Sequence, residues 1–235
     1  MAGVKQFDQD EVLDRAMAVF WERGYEATSI QDLVEATGLN RGSLYATFRD
    51  KKQLFLAVLA RYAHRVGNPL LAELADPDPR RAIERMFAAI LQRTSDSTQP
   101  RGCLITNTAL ECPRSGDDIS RTIAAWVGQQ ESALYHVLLR AQTTGALSRT
   151  QDCRALARFF VGVAQGLNVV HKAMADPAVL QDMVRVAMQV WDAPHGLPPK
   201  DRSRQGRKQL RRPGHERLSS TRPQKARLKK NNNNR

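Results

Sequence analysis

The sequence predicts an all-α fold of about nine helices, and three observations support this prediction. Apolar residues recur at helical spacing through most of residues 8–193. Capping residues precede these stretches and glycines follow them. No stretch alternates in the manner of a β-strand, and no internal repeat or phosphate-binding glycine loop interrupts the helical pattern. We therefore expect a small N-terminal domain of short helices and a larger helical C-terminal domain.

The first four helices are short and lie close together in the sequence. Their ends are marked by capping residues and glycines, at Asp8, Gly24, Thr28 or Ser29, Gly38, Asn40 and Asp50. For the second helix, Thr28 with Gln31 also fits a capping box. The fourth helix is predicted to run towards Asn68 and Pro69. A short capped helix, a Gly turn and a second short helix indicate a helix-turn-helix unit.

Five further helices are predicted after an Asp-Pro-Asp-Pro break at residues 76–79. Their ranges are 82–93, 103–111, 117–143, 154–174 and 178–191. The predicted parts of the chain are a helix-turn-helix domain, a larger helical domain and a basic tail, at residues 1–50, 51–193 and 194–235.

The net charge of +12 is concentrated in the tail. Residues 194–235 contain 14 Lys and Arg but only two acidic residues, whereas the first 193 residues contain 22 of each sign. The tail has too few apolar residues to offset the entropy of ordering, so we expect it to be disordered. A basic tail attracts phosphates without regard to sequence. The alternative is a solvated appendage with no specific role.

The cysteines and apolar segments predict no metal site, disulfide or membrane contact. Cys103, Cys112 and Cys153 form an odd set without CxxC spacing. No apolar run reaches the length of a transmembrane helix, and residues 1–7 do not resemble a signal peptide. We therefore expect a cytoplasmic protein with no cofactor.

The third helix is predicted to present polar side chains to the major groove of DNA. Leu44 and Phe48 are expected to pack inward, against apolar residues of the first two helices. The outward candidates for DNA contact are Asn40, Arg41, Gly42, Ser43, Tyr45 and Thr47. Arg41 is the best candidate for a base contact, because arginine forms bidentate hydrogen bonds with guanine. Phosphate contacts are expected from Thr28, Tyr45, Lys51 and the N-terminus of the second helix. The alternative is an ordinary helical hairpin with a polar face.

A wider set of residues extends this pattern over residues 8–60, namely Gly24, Tyr25, Thr28, Ile30, Ala36, Gly38, Leu39, Gly42, Ser43, Leu44, Tyr45, Phe48, Lys51 and Leu54. This set resembles the N-terminal domain of tetracycline-repressor (TetR) family regulators. The resemblance implies a homodimer that binds a palindromic operator, with ligand binding and dimerisation in residues 51–193. Ligand binding in this family typically spreads the DNA-reading helices and releases the DNA.

The resemblance also implies roles for individual residues. Tyr45 and Lys51 match positions that usually contact phosphates, and residues 40–43 match the start of the recognition helix. Lys52 departs from the family pattern, in which an acidic residue is frequent. We expect Lys52 to strengthen the attraction to phosphates.

Two long predicted helices, 117–143 and 154–174, are candidates for a four-helix bundle between two subunits. Gly162 and Gly166 lie four residues apart on the second helix, which permits close approach of a partner helix. The alternative is that both helices fill only the core of one subunit. The family resemblance favours the dimer.

A polar stripe in the predicted helix at 103–111 is the candidate effector site. Cys103, Asn107 and Glu111 are spaced four residues apart and are expected to share a face that lines a cavity. Arg101 and the helix N-terminus favour a thiolate at Cys103. The Gly-Cys-Leu-x-x-Asn-x-x-x-Glu pattern resembles a TetR subgroup that includes an electrophile-sensing repressor. The alternative is a small buried cysteine that only packs.

The sequence thus predicts a transcriptional regulator, most simply a repressor. Its predicted partners are double-stranded operator DNA, a second copy of the chain and an unknown small-molecule or electrophile effector. One alternative is a non-specific architectural protein that binds DNA through its tail. Another is an enzyme, but no Ser/His/Asp order, metal-ligand spacing or dinucleotide fingerprint supports it, so we expect no enzymatic activity.

Overall fold

The computed structural model describes residues 7–111, 118–174 and 176–192. Within these residues it contains α-helices and no β-strand, which confirms the all-α prediction. The helices are α1 (Gln9–Arg23), α2 (Ile30–Thr37), α3 (Arg41–Phe48), α4 (Lys51–Tyr62), α5 (Asn68–Ala72), α6 (Pro79–Thr94), α7 (Leu104–Glu111), α8 (Asp118–Thr144), α9 (Cys153–Met174) and α10 (Pro177–Asp192). The tail and Cys112 lie outside the described residues. None of the described helices is long and apolar enough to cross a membrane.

The segment between α4 and α6 differs from the prediction. The fourth helix does not end near Asn68 but continues through a π-helical turn, Ala63–Gly67, into α5 and then a 3-10 turn, Glu73–Ala75. Pro69 does not end the helical path here; it lies in the first turn of α5, directly after the π-helical turn.

Side-chain oxygens fix the starts of several helices, at Asp8, Ser29, Asn40, Asp50 and Asp78. The capping box of α2 is formed by Ser29 and Asp32. The predicted box of Thr28 with Gln31 is therefore wrong by one residue, since the Thr28 side chain points into the protein.

Two apolar clusters hold the helices together. The first is formed by α1–α4 with residues of α7 and α8, and it includes the fully buried Phe20 and Leu44. The second is formed mainly by α6, α8, α9 and α10 around Phe87 and Phe160. The domain boundary at residue 50 stays a prediction, and α4, which follows it, packs in the same cluster as α1–α3.

Candidate nucleic-acid interface

Helix α3 exposes a polar surface while its apolar residues hold it in the protein. Leu44 and Phe48 are buried in the first apolar cluster. Asn40, Arg41, Gly42 and Thr47 are exposed, and Ser43 and Tyr45 are half-buried. The outward face of α3 is therefore accessible to a large ligand such as a DNA groove.

Local hydrogen bonds define the start of this helix. Asn40 Oδ1 accepts a hydrogen bond from Ser43 N at 2.8 Å, and Thr47 Oγ1 donates to Ser43 O at 2.9 Å. The Arg41 guanidinium lies 5.7 Å from the centroid of the Tyr45 ring. A cation held over an aromatic face keeps its charge and its donors, so Arg41 can still bind an acceptor.

Thr28 does not lie where the sequence predicts. Thr28 is 1% exposed, and its hydroxyl donates a hydrogen bond to Gly24 O at 2.6 Å. A phosphate cannot reach this enclosed hydroxyl, so the predicted phosphate contact by the Thr28 side chain is wrong in this conformation. Thr28 instead closes the turn between α1 and α2.

The two lysines at the start of α4 have different partners. Lys51 Nζ lies 4.5 Å from the Tyr25 ring centroid and 3.4 Å from Glu26 O, and it forms no ion pair with a carboxylate of the described residues. Lys52 Nζ forms a 3.1 Å ion pair with Asp118 at the start of α8. The hydrogen bond from Lys52 is the largest cause that lowers the pKa of Asp118. Asp118 therefore competes with phosphates for Lys52 and opposes the expected gain from this residue.

The three residues of the predicted effector stripe do not share one environment. Cys103 immediately precedes α7 and is buried, and its Sγ accepts a hydrogen bond from Tyr62 Oη at 3.2 Å. Asn107 is also buried, and its Nδ2 donates to a backbone carbonyl of the preceding loop at 3.4 Å. Glu111 is exposed, and its carboxylate accepts from Tyr25 N at 2.9 Å. Glu111 thus contacts the turn between α1 and α2 and does not join the other two, which corrects the expectation of one shared face.

A polar network that the sequence did not predict lies behind Cys103. Arg93 of α6 donates to Tyr62 Oη at 3.1 Å, to Gly102 O at 3.3 Å and to Asn168 Oδ1 at 2.6 Å. Burial is the main cause that raises the pKa of Tyr62, so the phenol stays protonated and can donate to Cys103. Tyr62 and Arg93 follow the apolar periodicity of α4 and α6, and both carry a polar group at the end of a long side chain. This pattern is the signal in the sequence that could have indicated the network.

A histidine completes the packing around the loop before α7. His171 is buried, and its Nδ1 accepts a hydrogen bond from Gly102 N at 3.2 Å. Burial lowers the pKa of His171 most, followed by the positive charges of Arg93 and Arg101. The imidazole is therefore neutral near pH 7, as its role of acceptor requires.

Exposed apolar side chains gather on α9 and α10. Phe159, Val163, Val179, Met183 and Val186 line an open groove of about 480 Å³ between these helices. A side chain added at Gly162 would meet open space. Helix α8, a predicted dimer helix, packs against α9 and has no large exposed apolar side chain among its described residues. The free apolar surface is thus on α9 and α10 and not on α8.

The sequence matches two known families in the regions of these features. Residues 12–58 match the family described as "Bacterial regulatory proteins, tetR family". Residues 79–187 match "Tetracyclin repressor-like, C-terminal domain". The first match covers the helix-turn-helix unit, and the second spans α6 to most of α10.

Several relatives are similar over most of the chain. It is 34% identical to the HTH-type transcriptional repressor ComR of Escherichia coli (strain K12), over 80% of this chain and 90% of that protein. It is 36% identical to the HTH-type transcriptional regulator YezE of Bacillus subtilis (strain 168), over 80% of this chain and 98% of that protein. Among solved structures, a cysteine mutant of the TetR family regulator CifR complexed with a 26-base-pair operator superposes with a TM-score of 0.75 at 31% identity, covering 80% of this chain and 100% of that chain.

Proposed function

Since the chain belongs to the tetR family of bacterial regulatory proteins, we propose that this DNA-binding regulator is a repressor that leaves its operator when an effector binds. The observation that carries the proposal is α3, whose polar face is exposed while Leu44 and Phe48 anchor the helix in the core. ComR is named as a repressor, and the CifR structure contains operator DNA. The chain acts, in this proposal, by occupying DNA and not by catalysis.

The proposed DNA contacts divide into base reading and backbone positioning. Arg41 reads a guanine, because its guanidinium is exposed at the N-terminus of α3. Asn40, Gly42, Ser43 and Thr47 provide the remaining groove surface. Tyr45 and Lys51 bind phosphates. Lys52 provides a further phosphate contact when it leaves its ion pair with Asp118 and binds DNA instead.

A second copy of the chain is the proposed occupant of the apolar groove on α9 and α10. Its lining, including Phe159 and Val186, is exposed in the single chain, and burial between two copies would remove this surface from water. Open space at Gly162 allows a partner helix to approach closely. A two-fold dimer places two α3 helices on the two halves of a palindrome.

The effector region of the proposal is the Cys103 network. Cys103 is hydrogen-bonded to Tyr62, which belongs to α4, the helix that follows α2 and α3, here called the DNA-reading unit. A group added to Sγ cannot fit without moving Tyr62 or α7, because both Cys103 and Asn107 are buried. Glu111 at the other end of α7 contacts Tyr25, so a shift of α7 reaches the turn before α2.

A footprint on the DNA that flanks the coding region tests the proposed function. A repressor protects one palindromic site at physiological salt. An architectural protein acting through its tail protects all DNA and loses this protection as salt rises. A chain ending at residue 193 provides the control, since it lacks the 14 basic residues of the tail. Site-specific protection that survives this truncation supports the repressor, and its loss supports the architectural alternative.

A further inference from the structure

Three cations near the loop before α7 have no carboxylate partner among the described residues. They are Arg93, Arg101 and Lys172, here called the cation cluster. Arg93 is half-buried, yet its hydrogen bonds to described residues go to neutral acceptors, on Tyr62, Gly102 and Asn168. A partly buried charge without a counter-charge is unfavourable unless a ligand supplies one.

The cation cluster borders a groove that reaches α1, the helix before the DNA-reading unit. The Trp21 groove, as we call it, has a volume of about 580 Å³ and lies between α1, the segment from the π-helical turn to α5, α6 and residues 96–100. A second cavity of about 510 Å³ shares Trp21 and residues 98–100 with it and is lined by Arg101 and Lys172. Volumes of about 300–1,000 Å³ are typical of small-molecule sites.

A second observation indicates that an acceptor is missing at this place. The indole Nε1 of Trp21 is buried and has no hydrogen-bond partner among the described residues. Trp21 and Arg93 both line the groove and both contact Tyr62, Trp21 through ring packing at 5.0 Å and Arg93 through its hydrogen bond. Arg93 therefore lacks an anionic acceptor, and the enclosed Nε1 of Trp21 lacks an acceptor among the described residues.

The acidic residues that line the groove do not form an ion pair with Arg93. Asp14 is held by Arg61 and Arg65 of the neighbouring helical segment. Glu73 is paired with Arg85. The remaining carboxylates, Asp96 and Glu22, are exposed at the rims. The buried end of the groove thus keeps the positive charge of Arg93.

We propose that the Trp21 groove binds a small organic anion with an apolar body, whose charged group is held by Arg93. The body packs on the apolar wall formed by Met17, Val66 and Leu70. Arg101 and Lys172 attract the anion to the opening.

The position of the groove gives the ligand a route to the DNA-reading unit. Trp21 lies in α1, whereas Arg93 lies in α6, so one bound anion would contact both. A ligand that binds one orientation of α1 better than another shifts the population towards it. This regulatory consequence rests on the proposed function, whereas binding in the groove does not.

Calorimetry on the full-length protein without DNA tests the site with three probes of equal apolar body: octanoate, octylamine and 1-octanol. Octanoate is expected to bind about tenfold more tightly than the other two. Arg93→Gln should remove this preference, whereas Arg158→Gln, at an exposed arginine of α9 that does not line the groove, should preserve it. Equal binding of the three probes to the wild-type protein would overturn the proposal.

A second variant separates loss of the site from loss of the fold, since Arg93 also holds the polar network. Ala89→Leu places a larger side chain in the groove from its wall and removes none of the groups to which Arg93 is hydrogen-bonded. It should weaken octanoate binding about tenfold with an unchanged helical circular dichroism spectrum. Undiminished binding contradicts the site. Octanoate that binds the wild type but does not release DNA confirms the site and contradicts only its role as effector pocket.

Discussion

The indole ring of Trp126, on α8, occupies the space that a side chain at Gly67 would need, in the π-helical turn between α4 and α5. Trp126 belongs to the same apolar cluster as the DNA-reading unit. The contact therefore joins the helical segment that follows α4 to the long helix α8. Short π-helical turns inside helices are frequent at functional sites, and here the turn allows the ring to approach the backbone closely.

Gly67→Ala is expected to lower the free energy of unfolding by roughly 1–2 kcal/mol, because the added methyl group overlaps the Trp126 ring. Gly128→Ala is the matched control on α8, where an added methyl group meets open space and should leave stability unchanged or raise it by about 0.5 kcal/mol. Urea unfolding of both variants measures the difference. Equal stability of the two would contradict the close packing of Trp126.

Arg41→Ala is expected to cost about 1–3 kcal/mol of binding on the operator and little on random DNA, because a base contact discriminates between sequences. Lys51→Ala should weaken both complexes similarly and lower the salt slope by about one unit. Fluorescence anisotropy over a salt series measures both quantities. Equal losses for Arg41→Ala on the two DNAs would assign it to a phosphate instead.

Val186→Asp is expected to shift the protein towards monomer, because it places a charge in the apolar groove of α9 and α10. Gln181→Asp introduces the same charge on an exposed position of α10 outside the groove and should leave the dimer intact. Sedimentation velocity measures the mass of each variant. A dimer that persists in Val186→Asp at micromolar concentration would exclude this face.

Modification of Cys103 is expected to release DNA more slowly than the modification of an exposed thiol would, because Sγ is buried against Tyr62 and must first become accessible. Mass spectrometry after a limiting dose of N-ethylmaleimide shows which cysteine reacts. Cys103→Ser should keep its DNA affinity after the same treatment. Release of the Cys103→Ser protein by the reagent would refute a sensing role for this residue.

Asp14 links stability to pH through its contacts with Arg61 and Arg65, at 2.5 and 2.6 Å. The hydrogen bond from Arg61 is the main cause that lowers the pKa of Asp14, so its stabilising effect is complete above the unfolded pKa of about 3.9. This effect is lost as pH falls through the lower folded pKa. The stability difference between wild type and Asp14→Asn should thus be constant above about pH 5 and shrink below about pH 4.

Thermal unfolding between pH 3 and 7 measures this difference. Asp182→Asn is the control, since Asp182 is an exposed residue paired with its helical neighbour Arg185. A pH-independent difference for Asp14→Asn would show that the contact contributes nothing through its charge.

The sequence by itself determined most of the helices, though not the segment between α4 and α6, and it determined the outward face of α3. Periodic apolar residues and the caps at Asp8, Asn40 and Asp50 are local signals, and each acts within one helical turn. The inward placement of Leu44 and Phe48 follows from the same periodicity. For this reason the all-α fold and the accessible polar face of α3 could be predicted from the order of residues.

Only the tertiary structure decided which distant residues meet. Lys52 pairs with Asp118, and Glu111 bonds to the backbone of Tyr25, across 66 and 86 residues of sequence. Thr28 illustrates the same limit, because its hydroxyl is turned inward by the packing of α1 on α2 although the sequence allows it to face DNA. Helical periodicity specifies the face on which a side chain lies, but not which helix covers that face, and that choice depends on the joint packing of all the helices.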